Sequence, residues 1–270
     1  MTEPRTLPLY QIDAFAAQPF SGNPAAVCPL DRWLPDPLMQ QIAAENNLAE
    51  TAFFVADGED YHLRWFTPQV EVPLCGHATL ASAFVIFEYL RPELHAVGFR
   101  TASGRLDVSR ESDSGMLAMR LPARESVPFA DDTGQLVAAL GREPQLLLRG
   151  DYDMAVFGDA DEVQAVIPDM TALAKWERGV IITAPAPRGE RHYDVISRFF
   201  VPAKGVPEDA VTGSAHCQIV PYWCARLGRA DLTAFQASIR GGFLHCSYDG
   251  GAHVMQRGYC IPYLEGIIRI

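Results

Sequence analysis

The most apolar stretch of the chain, Ala78–Phe87, lies inside a run, His77–Leu90, whose hydrophobic side chains cover almost the whole circumference of a helix. A helix without a polar face cannot rest on a surface, so the pattern predicts an element threaded through the middle of a wrapping sheet. A second run, Ser214–Leu227, has the same character but contains Pro221, which removes a backbone hydrogen bond and is expected to kink the helix near Cys217. Gly228 reads as its stop. Strand-like segments precede each run: Thr51–Val55 and Tyr61–Phe66 before the first, Val180–Thr183 and Tyr193–Val201 before the second. Asp36-Pro37 reads as the cap and first turn of a helix reaching about Asn46. Further strand-like pieces fall at Phe243–Tyr248, His253–Gln256 and Gly266–Ile270.

The two halves share more than this pattern. Arg64, Phe66, Pro68, Val72 and Pro73 recur at the same spacing as Arg198, Phe200, Pro202, Val206 and Pro207. Gly76 and Ala78 recur as Gly213 and Ala215, after three extra residues in the second copy. A duplicated α+β unit explains the matched residues, the strands before them and the helices after them together. The expected division is a first lobe over residues 1–122 and a diverged second copy over 123–270, with the last strand returning to the first lobe. Leu121–Asp132, with Pro122, Pro128 and several charges, is the expected crossing.

Composition narrows the function. A chain of 270 residues with 49% hydrophobic and 20% charged residues can bury a core in each lobe. Ala78–Phe87 ends at Glu88 and is too short to span a bilayer, and the start, with Glu3 and Arg5, lacks the apolar core of a signal peptide. No membrane association and a cytoplasmic location are therefore expected. Twenty-two basic against 33 acidic residues give −11, with no basic run, which speaks against nucleic acid as a partner. The six cysteines show neither C-x-x-C pairs nor finger-like Cys/His spacing, so no metal is expected and the thiols read as reduced core residues.

The chemistry is sought at the starts of the two apolar helices, Gly76-His77 and Gly213-Ser214. A helix N-terminus offers unpaired N–H groups and partial positive charge, and glycine lets a ligand approach the backbone. Two such starts facing each other would cradle a carboxylate. Taken singly, Ser214 reads first as a helix cap and Gly76 as a turn residue; the recurrence in both copies turns the reading toward a site. Glu50 precedes a strongly apolar strand, where apolar walls would raise its pKa and make it a proton carrier. The plainer alternatives are a solvated loop for Glu50, a dipole-complementing acid for Asp209 and a satisfied core histidine for His77. No G-x-S-x-G, dinucleotide fingerprint, phosphate loop or zinc-protease helix is present, which leaves a proton movement that needs no cofactor.

Four stretches carry a family resemblance. They are Ile12-Asp13-Ala14-Phe15 with Gly22-Asn23-Pro24, Asn47-Leu48-Ala49-Glu50-Thr51, Cys75-Gly76-His77-Ala78-Thr79, and Glu208-Asp209-Ala210-Val211-Thr212-Gly213-Ser214-Ala215. In this order and spacing, from about Tyr10 to the C-terminus, they resemble the PhzF-like phenazine-biosynthesis isomerases, which have the diaminopimelate epimerase-like fold. The resemblance implies two pseudo-symmetric lobes, each a mixed sheet rolled around a central helix, with the active site in the cleft. It implies that Glu50 moves a proton between carbons of a small, cyclic carboxylate, assisted by His77 and Asp209. Ser214, Asn23, Gly76 and Gly213 would bind that substrate, and the working state would be a homodimer. The segment Phe235–Cys246 resembles the broad branch of the family rather than the phenazine enzyme itself. Two other readings stay open. Leu74-Cys75-Gly76-His77 also resembles the first half-site of proline racemases and hydroxyproline dehydratases. The second lobe offers no matching thiol, since Cys217 lies about a turn too far along, so this points to a one-thiol enzyme. The chain could also be a binding protein that kept the cleft without the catalysis.

Overall fold

The computed structural model describes residues 6–131, 133–186 and 191–270. Two compact units emerge, one formed by Met1–Arg120 with Arg257–Ile270 and the other by Leu121–Gln256.

In the first unit β1 (Thr6–Ala14) pairs antiparallel with both β2 (Asn23–Leu30) and the C-terminal strand of the chain. After α1 (Asp36–Asn46), β3 (Glu50–Asp57) lies parallel to β2 and antiparallel to β4 (Asp60–Phe66). Short β5 (Glu71–Val72) folds back on β4. Then come α2 (Gly76–Val85), β6 (Ala96–Thr101), β7 (Gly104–Arg110) and β8 (Leu117–Pro122), with β6 parallel to β4 and antiparallel to β7. Every residue from Gly76 to Ala83 is buried, as a helix with no polar face demands. The strands around it supply its surroundings, β1, β2 and β3 among them.

The second unit opens with β9 (Val127–Pro128), α3 (Thr133–Leu140), β10 (Leu146–Arg149) and β11 (Asp153–Val156), followed by the short helices α4 (Ala160–Ala165) and α5 (Met170–Leu173). It continues with β12 (Val180–Pro185), β13 (Val195–Val201), β14 (Val206–Asp209), α6 (Gly213–Leu227), β15 (Asp231–Gln236), β16 (Gly242–Ser247) and β17 (His253–Gly258). The last strand, β18 (Cys260–Arg269), is the partner of β1.

The pairing pattern of the first unit recurs in the second. β12 is parallel to β11 and antiparallel to β13, β14 folds back on β13, and β15 is parallel to β13 and antiparallel to β16. The repeated arginines do the same work in each copy. Arg64 on β4 grips Glu71 on β5 through two N–H···O bonds of 2.7 Å, and Arg198 on β13 grips Glu208 on β14 at 2.8 and 3.0 Å. Each two-pronged contact pins a short returning strand that leads into the central helix. The architecture is α+β, a mixed sheet around a central helix in each unit.

Several boundaries differ from the sequence pattern. The first helix starts at Asp36, with Pro35 at the cap position; the Asp36 carboxylate is drawn to Arg64 at 2.8 Å instead of capping. The run His77–Leu90 is α-helical only to Val85 and closes in a π-helical turn over Ile86–Leu90. The cap of α6 is Thr212, not Ser214, which is the second helical residue. The segment Leu121–Asp132 holds the end of β8 and all of β9; Asp132 itself lies outside the described residues. Pro221 does not interrupt α6. The carbonyl of Cys217, which its missing N–H would have satisfied, accepts the Arg124 N–H at 2.8 Å. Gly228 ends the helix at φ +64°, in the left-handed region that glycine adopts without strain. No helix among the described residues is long and apolar enough to cross a membrane.

Candidate active site

Glu50 is the first residue of β3 and Asn23 the first of β2, and these neighbouring strands run parallel, with Glu50 opposite Ala25. Both side chains therefore stand at one end of the sheet. His77 reaches the same end from the first turn of α2. Its Nε2 lies 3.0 Å from Glu50 Oε2, and its Nδ1 lies 3.2 Å from the Asn23 amide. The contact to Glu50 is an ion-pair distance without hydrogen-bond alignment. Glu50 is 18% exposed and His77 5%. The carboxylate thus meets an imidazole, and the expected setting of bare apolar walls does not hold: β3 begins one residue earlier than the pattern indicates, and its first side chain is directed at α2.

Burial disfavours the charged form of His77, but Cys75 and Glu50 outweigh it and hold the imidazole well above its usual pKa. Cys75 is itself pushed up to about 11, by burial first and by the Glu50 charge second. At neutral pH it is a neutral thiol. The Asn23 amide nitrogen faces Nδ1 at 3.2 Å, and which of the two donates is set by the tautomer of the ring. Asn23, expected to bind substrate, is fully buried and touches His77.

The ligand atoms of Glu50, Cys75 and His77 lie within 4.8 Å of one another. Carboxylate, thiolate and imidazole are all zinc donors. The sulfur lies 3.5 Å from Nδ1 and 4.0 Å from Nε2, beside the ring and in line with neither nitrogen. An ion in the ring plane would need Cys75 or the imidazole to rotate, so the trio is not preformed for a metal. All six cysteines are free and buried, and Cys217 is pushed up to about 12, chiefly by burial.

The second unit gathers another set of polar groups. Asp209 ends β14, and its Oδ2 accepts from the Thr212 hydroxyl at 2.5 Å, just before Gly213 opens α6. Gln236, fully buried on β15, clamps this turn: it accepts the Thr212 N–H at 2.8 Å and donates to the Asp209 carbonyl at 2.9 Å. His216 closes the clamp from inside the helix, with Nδ1 2.8 Å from the Thr212 carbonyl. The Ser214 hydroxyl is 2.9 Å from the Tyr152 hydroxyl. Glu50, His77, Asn23 and Gly76 are therefore grouped in one unit, and Asp209, Gly213 and Ser214 in the other. The sequence reading missed Gln236, His216 and Tyr152. Nothing local marks them, because their role lies in contacts between residues far apart in the chain.

Comparison with known proteins adds context to this geometry. The family described as phenazine biosynthesis-like protein matches residues 12–259. Two uncharacterized isomerases of Pseudomonas aeruginosa are 47% and 48% identical, each match covering 98% of this chain and 99% of the relative. A crystal structure of a phenazine biosynthesis protein of the PhzF family from Enterococcus faecalis is similar at 40% identity and a TM-score of 0.89, over 98% of this chain and 99% of that one. A hydroxyproline epimerase from Agrobacterium vitis, crystallised with trans-4-hydroxy-L-proline, has the same fold at 12% identity and a TM-score of 0.67, over 100% of this chain and 94% of that one.

Proposed function

Because the chain belongs to the phenazine biosynthesis-like family and its relatives include named isomerases, we propose that it moves a proton between carbons of a small, cyclic carboxylate, with Glu50 as the acid and base. One observation carries this reading: the 3.0 Å approach of Glu50 Oε2 to Nε2 of the buried His77, at the start of the central helix. A carboxylate is a base, and the neighbouring imidazole, whose pKa is raised, is the group best placed to carry positive charge beside it.

In the proposed step, Glu50 takes the proton from one substrate carbon and the bonding pair becomes a new double bond. The existing double bond shifts, and Glu50 returns the proton to the carbon that gains electron density. Atoms and charge balance without any co-reactant, so the reaction needs no cofactor. In the first unit His77 offsets charge as the double bond moves, and in the second Asp209 is the acid offered to a polar substituent. Each central helix offers N–H groups to a carboxylate at its start, α2 at Gly76 and α6 at Gly213, the latter with the Ser214 hydroxyl beside it. A thiol reaction at Cys75 has less support, since the sulfur is protonated at neutral pH and faces no ring nitrogen in line.

The test is incubation with a panel of small cyclic carboxylates in deuterated water, read by mass spectrometry and NMR. The wild type should place deuterium on a ring carbon of one panel member. Glu50→Gln keeps the shape but accepts no proton, so it should lose on the order of 10²–10⁴ in rate. Near wild-type turnover by Glu50→Gln would end the reading.

A further inference from the structure

In the second unit the loop between β10 and β11 carries Tyr152 to the start of α6, where its hydroxyl meets Ser214 Oγ at 2.9 Å. Three arrangements hold the ring there. Gln218, one turn beyond Ser214 on the same helix face and fully buried, accepts the Tyr152 N–H at 3.2 Å and donates to the Tyr152 carbonyl at 3.1 Å. Phe199 meets the phenol ring edge-on, with centroids 4.8 Å apart. Gly150 and Gly179 leave the space this needs: a Cβ would stand 2.7 Å from Gln218 Oε1 at the first and 2.8 Å from the Tyr152 ring at the second. Tyr152 and Ser214 are both only part-buried, so the hydroxyl pair lies at the edge of this support and not inside it.

A hydroxyl pair has a direction. Serine carries one proton and can accept two hydrogen bonds, and the phenol is the stronger acid. Burial is the main influence on the Tyr152 phenol and raises its pKa, with the Ser214 bond working against it. The phenol therefore keeps its proton through the neutral range and is the natural donor. A serine that accepts from a phenol is in turn a better donor to a third group.

Resting on the reading that Ser214 holds the substrate's carboxylate, we propose that Tyr152 is a positioning residue of the site. Its phenol donates to Ser214 Oγ, so that the serine proton is turned outward to the anion. The two hydroxyls and the α6 N-terminus then form one carboxylate-binding unit, in which Gln218, Phe199 and the two glycines fix the direction of a single proton.

The test measures binding of small cyclic carboxylates, from proline to benzoate, to the full chain by ligand-observed NMR and calorimetry. Tyr152→Phe keeps the ring that packs on Phe199, and its thermal unfolding should match that of the wild type. Its affinity for the carboxylate that binds the wild type should fall about fivefold, as for one hydrogen bond. Ser214→Ala should lose at least as much, and adding Tyr152→Phe to it should change nothing further, a non-additivity that a merely structural tyrosine would not show. Unchanged affinity in Tyr152→Phe, or a full additional loss in the double variant, overturns the proposal and leaves the proton-transfer reading standing. Failure of the wild type to bind any carboxylate of the panel overturns the anion site itself and this proposal with it.

Discussion

The sulfur of Cys75 lies beside the imidazole of His77, 3.5 Å from Nδ1 and 4.0 Å from Nε2, where neither nitrogen can share a proton with it along a straight line. A reactive thiolate needs a cation or donor aimed at the sulfur. Here burial and the Glu50 charge push the thiol up to about 11 instead.

Cys75→Ser should therefore keep most of the isomerase activity found with the deuterium panel. Alkylation of Cys75 by iodoacetamide, followed by peptide mass spectrometry, should be slow at neutral pH and speed up only as pH nears the thiol's value of about 11. A loss of turnover in Cys75→Ser as severe as in Glu50→Gln would make the thiol the working group.

The raised pKa of His77 predicts a pH-dependent stability. In this direction the folded protein holds a proton that the unfolded chain gives up. The pair's contribution should be fully present below the unfolded value, about 6.5, and be lost as pH rises through the folded one. Urea midpoints should fall over this alkaline window in the wild type. They should stay level there in His77→Gln, apart from other titrating groups; parallel curves for the two proteins would refute the pairing.

His216 predicts the opposite slope. It is fully buried, with Nδ1–H donating to the Thr212 carbonyl at 2.8 Å and Ser197 Oγ 3.4 Å from Nε2. Burial lowers its pKa to about 4, and the Thr212 bond offsets only part of this. Its contribution, about 3 kcal/mol, should be present above about pH 6.5 and be lost as pH falls toward 4. The His216 ring resonances should not titrate above about pH 5; a midpoint near 6.5 would contradict the buried neutral ring.

Arg198→Lys should test the repeated clamp. Lysine keeps the charge but cannot make the two parallel bonds to Glu208 that the guanidinium makes at 2.8 and 3.0 Å. With side-chain exposures of 13% and 21%, the pair is sheltered enough that the change should cost on the order of 1 kcal/mol in chemical unfolding. No measurable cost would mean that the returning strand β14 is held by its backbone pairing alone.

What the sequence determined by itself follows from periodicity and repetition. An apolar run with no polar face has one stable place, inside a sheet, and Gly76–Ala83 is buried throughout. The recurrence of Arg64 as Arg198 and of Gly76 as Gly213 foretold two units of one pairing pattern, because a duplicated segment keeps its register. The starts of both helices, and with them Gly76, His77, Gly213 and Ser214, were legible for the same reason. Tertiary structure alone decided the partners. The sequence does not say that the first residues of β2 and β3 stand side by side, so it could not pair Glu50 with His77 or set Asn23 behind the ring. Tyr152 reads as an ordinary loop residue between Asp151 and Asp153 until Gln218, 66 positions away, is seen holding its backbone. Whether a side chain is a base, a donor or a support depends on charges and burial that reach it through space, and a linear pattern carries no record of those distances.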